Sequence, residues 1–251
     1  MPNKDFGGLK FLSPQGRFKP CLMFTKDHII AATVCIAVVL VALLLTRNHR
    51  LNTFTVRIFA VLITLLEAFK ITVSFVYNDL SLDSWFPLSY CGLFIFALWM
   101  SSFGKGYIKD IGDSFIAYGC IIGGLAFLIF PTTSLMLYPI WHYFSLYSLL
   151  FHTLMIFFGI KYIKDEDTFN FRKMLRFSLF IIAFAVPASI LNHCFDSNLM
   201  NLSQPFNIPI EFVQSIYQTS GLLYSIYVLI NFLLIPLVTA FLSGKIKFKG
   251  K

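Results

Sequence analysis

The sequence predicts an all-α, polytopic membrane helix bundle with about seven transmembrane helices. Of its 251 residues, 57% are hydrophobic and only 13% are charged, and the apolar residues form long continuous runs. A soluble domain carries about 25% charged residues, so this composition cannot supply a surface that faces water on all sides. Strands of a membrane barrel would alternate polar and apolar residues, which these runs do not do. The composition also excludes a disordered chain and a nucleic-acid-binding domain.

Seven apolar runs are long enough to cross a bilayer, for which a helix needs about 17–25 residues. In chain order they are residues 27–46, 54–77, 86–103, 111–130, 141–162, 175–191 and 216–242.

Each run has its own character. The first consists almost entirely of Ala, Val, Ile and Leu, whereas the second is interrupted by Glu67 and Lys70. The third includes Pro87 near its start, the fourth is rich in glycine, and the fifth carries polar side chains on one face. The sixth is the shortest, and the seventh is long enough to tilt, with Pro236 near its end. Residues 195–214 are too polar to span, and we expect them to hold a short interfacial helix.

The predicted organisation is a basic N-terminal segment (residues 1–26), a helix bundle (27–242) and a basic C-terminal tail (243–251). Fourteen Lys and Arg residues lie in the tail and around the first, third and fifth connections, and the other three connections contain none. Because cationic connections face the cytoplasm, we expect a multi-pass protein of the cell membrane with a cytoplasmic C-terminus. Seven helices place the N-terminus outside, whereas an even number would place its five cations inside.

Two ionisable residues interrupt the second run. Each such group costs about 2.5–3.5 kcal/mol on insertion scales, so each needs a reason to be there. Glu67 and Lys70 are three residues apart and therefore share one helical face. They form either an intrahelical ion pair that offsets its own cost or the charged wall of a cavity in the bundle.

A polar stripe runs along the fifth span. Trp141, Ser145, Ser148 and His152 share one helical face, which predicts that they face the bundle interior or a wet cavity and not lipid. His152 is either a structural histidine bonded to a neighbouring helix or a general base. Cys91, in the third span, is inert packing unless a base such as His152 activates its thiol.

Asparagine and histidine side chains mark the predicted extracellular ends of the spans. Asn192 and Asn198 belong to a polar stretch that is either a solvated loop or a contact for a lipid headgroup. His28, His142 and His193 fall at one depth and could form a metal site, but no two are four residues apart. Interfacial histidines bound to headgroups or water are favoured, so we expect neither a metal nor a cofactor.

Five short segments, in order, resemble one family. The chain is similar to the YwaF family of bacterial integral membrane proteins, which is related to eukaryotic transmembrane protein 164, over about residues 24–242. It differs from the bacterial pattern at Ser89, where members often have histidine. The segments that carry the resemblance are Phe24–Ile30, Phe86–Cys91, Pro131 with Tyr138–Pro139, Phe151–Leu154, and Asn192 with Ser197–Pro205.

The resemblance implies a function, because the eukaryotic relative is regarded as a cysteine-dependent phospholipid acyltransferase. Carried over by motif, Cys91 is the expected nucleophile and His152 the expected base, acting on membrane phospholipid. We expect Asn192 or Asn198 to stabilise the oxyanion or to bind the headgroup. Substrate contacts are expected from three further residues of the spans, Glu67, Lys70 and Ser148.

The alternative is a non-enzymatic membrane protein that binds lipid or a small solute, as a transporter or as a scaffold for a membrane-protein partner. It predicts a polar cavity lined by Glu67, Lys70 and His152, with Cys91 facing packed side chains. Selective acylation of Cys91 by a thioester-forming probe separates the two hypotheses.

Overall fold

A computed structural model describes residues 10–12, 15–77, 81–165, 169–205 and 210–245. These residues form α-helices and two short 3-10 turns, and no strand occurs among them, which confirms the all-α prediction. Most of the predicted basic tail lies outside the described residues. The helices are α1 (Lys26–Leu45), α2 (Thr53–Val76), α3 (Leu82–Trp85), α4 (Leu93–Phe103), α5 (Tyr107–Ile129), α6 (Ser134–Leu137), α7 (Tyr143–Asp165), α8 (Phe171–Phe195), α9 (Glu211–Thr219) and α10 (Gly221–Leu242).

Side-chain caps set the start of several long helices. Asn52 accepts a hydrogen bond from the Thr55 N–H at 2.7 Å, and so begins α2 at Thr53. Asn170 caps α8 in the same way, which starts that helix four residues before the predicted span. Such caps satisfy main-chain donors that the first turn of a helix leaves without a partner.

Six helices, α1, α2, α5, α7, α8 and α10, are long and apolar enough to cross a membrane, within the ranges described above. The third predicted span differs, because its helix α4 begins only at Leu93. Pro87 lacks a main-chain N–H and disfavours helical geometry at Phe86, so the run enters the bundle as irregular chain. The seventh span also starts later than predicted, because an extended Ser220 separates α9 from α10.

Among the described residues, seven segments run between two ends of the bundle: the six long helices and α4 together with the irregular chain before it. One end, which we call the cation-rich end, holds the last turn of α1 and the last turn of α7. There Lys161 Nζ donates to the carbonyls of Thr46 and His49 at 2.8 and 2.5 Å, and Arg50 pairs with Asp165 at 3.4 Å. At the opposite end His28 bonds the Leu128 carbonyl, which joins the start of α1 to the end of α5.

Helix α7 lies at the centre and packs most closely against α5. A Cβ atom added to Gly124 would lie 2.5 Å from the Ile156 side chain and 2.9 Å from the His152 carbonyl. One added to Gly159 would lie 2.7 Å from the Ile121 side chain. Glycines therefore let the two backbones approach, as small residues do at membrane helix interfaces.

A polar cluster near the cation-rich end joins three helices. The Ser101 hydroxyl of α4 donates to the Asp113 carboxylate of α5 at 2.5 Å, and it lies 2.7 Å from the Tyr162 hydroxyl of α7. Because the Ser101 hydroxyl donates its one proton to Asp113, the Tyr162 hydroxyl must donate to the Ser101 oxygen. Lys109 also contacts the Asp113 carboxylate, so this partly buried acid is paired.

Candidate active site

Cys91 lies in the irregular segment that precedes α4. The Ser89 hydroxyl accepts a hydrogen bond from the Gly92 N–H at 2.9 Å and fixes the turn that presents Cys91. The partly buried Cys91 thiol points at α5, where its sulfur lies 3.9 Å from the Gly123 carbonyl oxygen and donates to it. The side chain therefore faces the interior of the bundle.

His152 is buried in α7, and one hydrogen bond fixes its protonation. Its Nδ1 lies 2.6 Å from the Ser148 carbonyl oxygen, which can only accept, so Nδ1 carries the proton. In the described part of the chain Nε2 has no hydrogen-bond partner, and its lone pair is available as a base. The ring stacks on Phe127 of α5, with the centroids 3.7 Å apart and the planes 7° from parallel.

Cys91 and His152 meet the same face of α5. Their contacts, Gly123 and Phe127, are four residues apart and so lie one above the other on that helix. Among the described residues no hydrogen bond joins the thiol to the imidazole, since the thiol donates to Gly123. Helix α5 thus carries both groups on one surface, one turn apart.

Glu67 and Lys70 form an ion pair that α7 completes. Lys70 Nζ lies 2.7 Å from one Glu67 carboxylate oxygen, and the Tyr147 hydroxyl donates to the other at 2.5 Å. The Tyr143 hydroxyl donates to the Leu66 carbonyl at 2.7 Å. The sequence left an ion pair and a cavity wall open, and the geometry is that of an ion pair which also ties α2 to α7.

Ser148 is partly exposed and follows Tyr147 directly in α7. It contributes its main-chain carbonyl to His152, whereas the prediction rested on its hydroxyl. Sequence reasoning missed Tyr147, although Tyr143 and Tyr147 are spaced as one helical stripe that signals a second polar face of α7.

Asn192 and Asn198 organise the loop of residues 196–205, which we call the strap. The Asn192 amide oxygen accepts from the Ser197 hydroxyl at 3.0 Å and from the Leu199 N–H at 2.7 Å, and its Nδ2 donates to the Leu199 carbonyl. The Asn198 amide oxygen accepts from two main-chain N–H groups of the strap, and its Nδ2 donates to the Gln204 carbonyl.

A polar pocket of about 280 Å³ opens where α8 ends, beside the strap. It includes Asn192 but neither Cys91 nor His152, so the predicted residues do not share one described pocket. The pocket is lined by Ser189, Asn192, His193, Asp196, Leu202, Ser203 and Ser225.

The histidine that begins α1 has both ring nitrogens occupied. His28 Nδ1 accepts from the Phe24 N–H at 3.0 Å, and Nε2 donates to the Leu128 carbonyl at 2.9 Å. No group of three or more His, Cys, Asp or Glu side chains that could hold a metal ion occurs among the described residues. His28 is therefore part of the packing between α1 and α5.

Asp83, in the second connection, was not singled out from the sequence. Its carboxylate accepts from the Asn198 N–H at 2.7 Å. Partial burial raises the pKa of the Asp83 carboxyl above its usual value, and the hydrogen bond from Asn198 lowers it. The carboxylate is thus turned toward the strap, while Asp83 as a whole stays exposed at this end of the bundle.

Comparison with known families decides the classification. A family model, the TMEM164 family, matches residues 23–240, which is well over half of the chain. The chain belongs to the TMEM164 family. The resemblance drawn from five short segments is therefore confirmed, and the match to the TMEM164 family takes in Cys91, His152 and the described helices from α1 to Ala240 of α10. Neither the curated proteins nor the solved structures give a match to this TMEM164 family member.

Proposed function

We propose that this TMEM164 family protein is a membrane acyltransferase that moves fatty acyl chains between phospholipids, with Cys91 as nucleophile and His152 as general base. One observation carries the proposal: the imidazole holds its proton on Nδ1, presents an unbonded Nε2 within the described chain, and shares a face of α5 with the thiol. A nucleophile and an adjacent base are the minimum for covalent acyl transfer.

The first half-reaction transfers the acyl group to sulfur. The thiol exchanges the Gly123 carbonyl for His152 Nε2 as its hydrogen-bond partner and gives up its proton there. The thiolate then forms a carbon–sulfur bond to the ester carbonyl of a phospholipid, and the ester carbon–oxygen bond breaks. The leaving alkoxide takes the proton from the imidazolium, which yields a lysophospholipid and an acyl thioester on Cys91.

The second half-reaction reverses these steps with another acceptor. His152 Nε2 takes the hydroxyl proton of a lysophospholipid, whose oxygen attacks the thioester carbonyl. The carbon–sulfur bond breaks and the imidazolium returns its proton to the departing Cys91 thiolate. Both half-reactions conserve the energy of an acyl bond, so the proposal includes no cofactor.

We propose that Ser148, Glu67 and Lys70 border the substrate. What supports this is their placement, because Tyr147 joins the Glu67–Lys70 pair to the turn of α7 that carries Ser148 and His152. The proposed location is the cell membrane, with the cation-rich end and the C-terminus in the cytoplasm.

Cys91→Ala and His152→Ala test the mechanism in purified protein reconstituted in lipid. With a labelled donor phospholipid and a lysophospholipid acceptor, we expect each variant to lose acyl transfer by about 10²-fold or more. Mass spectrometry of the wild type should find the acyl group on the Cys91 peptide. Cys35→Ala, which removes another buried thiol, is the matched control and should stay within about twofold.

Full acyl transfer in both Cys91→Ala and His152→Ala would contradict the mechanism. Absence of transfer in the wild type, together with saturable binding of the labelled lipid, would favour the non-enzymatic lipid-binding alternative. The elution volume on size-exclusion chromatography shows whether each variant remains folded.

A further inference from the structure

The strap contains three residues in the left-handed backbone region, one of them Met200, a residue type that rarely adopts it. Asp196, Met200 and Asn201 have φ values of 49°, 56° and 53°. Among residues other than glycine, Asn and Asp visit this left-handed region most often. For a residue such as methionine the conformation raises the free energy, because Cβ comes too close to a carbonyl oxygen. Such conformations persist only where the surroundings determine them.

Two asparagine side chains hold the strap in these conformations. Asn192 and Asn198 are buried, and their amides together make six hydrogen bonds within the strap and its hinge with α8. These bonds satisfy main-chain groups that the irregular chain would otherwise leave without partners. Both residues therefore have a role that needs no contact with substrate.

The strap is bonded to the segment that carries the nucleophile. The Met200 N–H donates to the Leu88 carbonyl at 2.9 Å, three residues before Cys91. The Asn198 N–H donates to Asp83 of α3, five residues before Leu88, at 2.7 Å. Two main-chain donors of the strap thus hold the chain between α2 and α4 in place.

The inner side of the strap is apolar and tightly covered. Leu199, Met200 and Leu202 are 3%, 2% and 4% exposed, and they belong to the same hydrophobic core as Leu88 and Tyr90. Leu88 and Tyr90 lie three and one residues before Cys91, which packs against that core. Apolar side chains of the strap therefore cover the segment that carries the thiol at this end of the bundle.

We infer that the strap determines the acyl acceptor: by excluding water from the Cys91 thioester, it directs the acyl group to a lipid hydroxyl. The inference rests on the proposed function. Asn192, Asn198 and Asp83 are then positioning residues that hold the strap closed. When the strap is open, water gives a proton to His152 and its oxygen attacks the thioester carbonyl. The carbon–sulfur bond then breaks and the imidazolium returns the proton to the departing thiolate, which releases free fatty acid and restores the thiol.

The ratio of free fatty acid to transferred acyl chain tests the inference. Asp83→Ala removes the acceptor for the Asn198 N–H, whereas Asp83→Asn keeps a carbonyl oxygen in the same place. We expect Asp83→Ala to raise the ratio about tenfold, because closing a site against water suppresses hydrolysis. Asp83→Asn, the matched control, should remain within about twofold of the wild type. Asp83 is exposed at the bundle end, so neither substitution disturbs the core.

Asn198→Ala is the second variant and should raise the ratio at least as much as Asp83→Ala. An unchanged ratio in Asp83→Ala and Asn198→Ala, with transfer still dependent on Cys91, would overturn the role of the strap alone. Formation of both products by Cys91→Ala would instead overturn the proposed function. A ratio raised equally by Asp83→Ala and Asp83→Asn would also contradict the inference, because the hydrogen bond would not be its cause.

Discussion

At His152 a main-chain group, not a side chain, sets the chemistry of the ring. A helical carbonyl accepts one N–H from the next turn and keeps a second lone pair. The second lone pair of the Ser148 carbonyl accepts the hydrogen bond from the Nδ1–H of His152. Because a main-chain group is the acceptor, any residue type at position 148 would select the same tautomer. The proposed substrate role of Ser148 therefore depends on its hydroxyl alone.

Tyr147 donates a hydrogen bond to the charged Glu67 carboxylate, and Tyr143, one turn earlier, donates to the neutral Leu66 carbonyl. Removal of the two hydroxyls one at a time therefore compares a charged with a neutral acceptor. We expect Tyr147→Phe to lower the free energy of unfolding by about 1–3 kcal/mol, because it removes a hydrogen bond to the buried Glu67 carboxylate. Tyr143→Phe removes a bond to a main-chain carbonyl and should cost about 1 kcal/mol. Unfolding in mixed micelles measures both, and equal stability of Tyr147→Phe and the wild type would contradict the prediction.

The two residues of the proposed mechanism could be singled out from the sequence because polar groups are costly inside apolar runs. Their common contact with α5 could not, since a sequence does not say which helices are neighbours. Tyr147 was missed for a related reason: a tyrosine is ordinary in a membrane helix until its partner Glu67 is placed beside it.

At the scale of elements, an apolar run predicts that a segment lies within the bundle more reliably than it predicts which of its residues are helical. The bounds of α1 and α2 differ from the predicted spans by one residue at each end, because polar caps coincide with the ends of the runs. The segment Phe86–Gly92 is as apolar as a helix and yet is irregular. Pro87 and the hydrogen bond from the Met200 N–H to the Leu88 carbonyl determine its conformation. The proline can be read from the local sequence, whereas the bond from the strap cannot.

The end of α1 depends on a side chain from another helix. Lys161 of α7 donates to the Thr46 and His49 carbonyls, at the turn where α1 ends, and the Thr46 carbonyl also accepts from the His49 N–H at 3.0 Å. We expect Lys161→Met to speed amide hydrogen exchange at residues 46–50 by about tenfold, since bonds from a charged donor contribute more than neutral ones.

Lys164→Met, which removes an exposed lysine one turn later in α7, is the control and should leave that exchange unchanged. Equal protection of residues 46–50 in the wild type and Lys161→Met would mean that the lysine does not stabilise the end of α1.

At the scale of the whole molecule, the two ends of the bundle differ in charge. The cation-rich end carries the ion pairs of Arg50 with Asp165 and of Arg176 with Asp110. The opposite end carries the strap and the polar pocket beside α8. This asymmetry is the basis of the proposed orientation, because the retention of cations in the cytoplasm fixes topology.

Thiol labelling in intact cells tests the orientation. Cys194 is exposed at the end that carries the strap, so a membrane-impermeant maleimide should label a variant that retains only this cysteine. With Cys194 also removed and Lys105→Cys added at the cation-rich end, labelling should require permeabilised cells. The reverse pattern would invert the orientation. Labelling of positions 105 and 194 from the same side would contradict the three passes, α5, α7 and α8, that separate them.

The irregular start of the third pass has a consequence for biogenesis. Main-chain groups at membrane depth must be covered by protein, because lipid offers no hydrogen bonds. The Leu88 carbonyl obtains its partner from Met200, which follows it by more than a hundred residues in the chain. The first half of the protein therefore emerges from the ribosome before the partner of Leu88 has been made, and the segment that carries Cys91 takes its final shape only after the strap, which follows α8, has been synthesised.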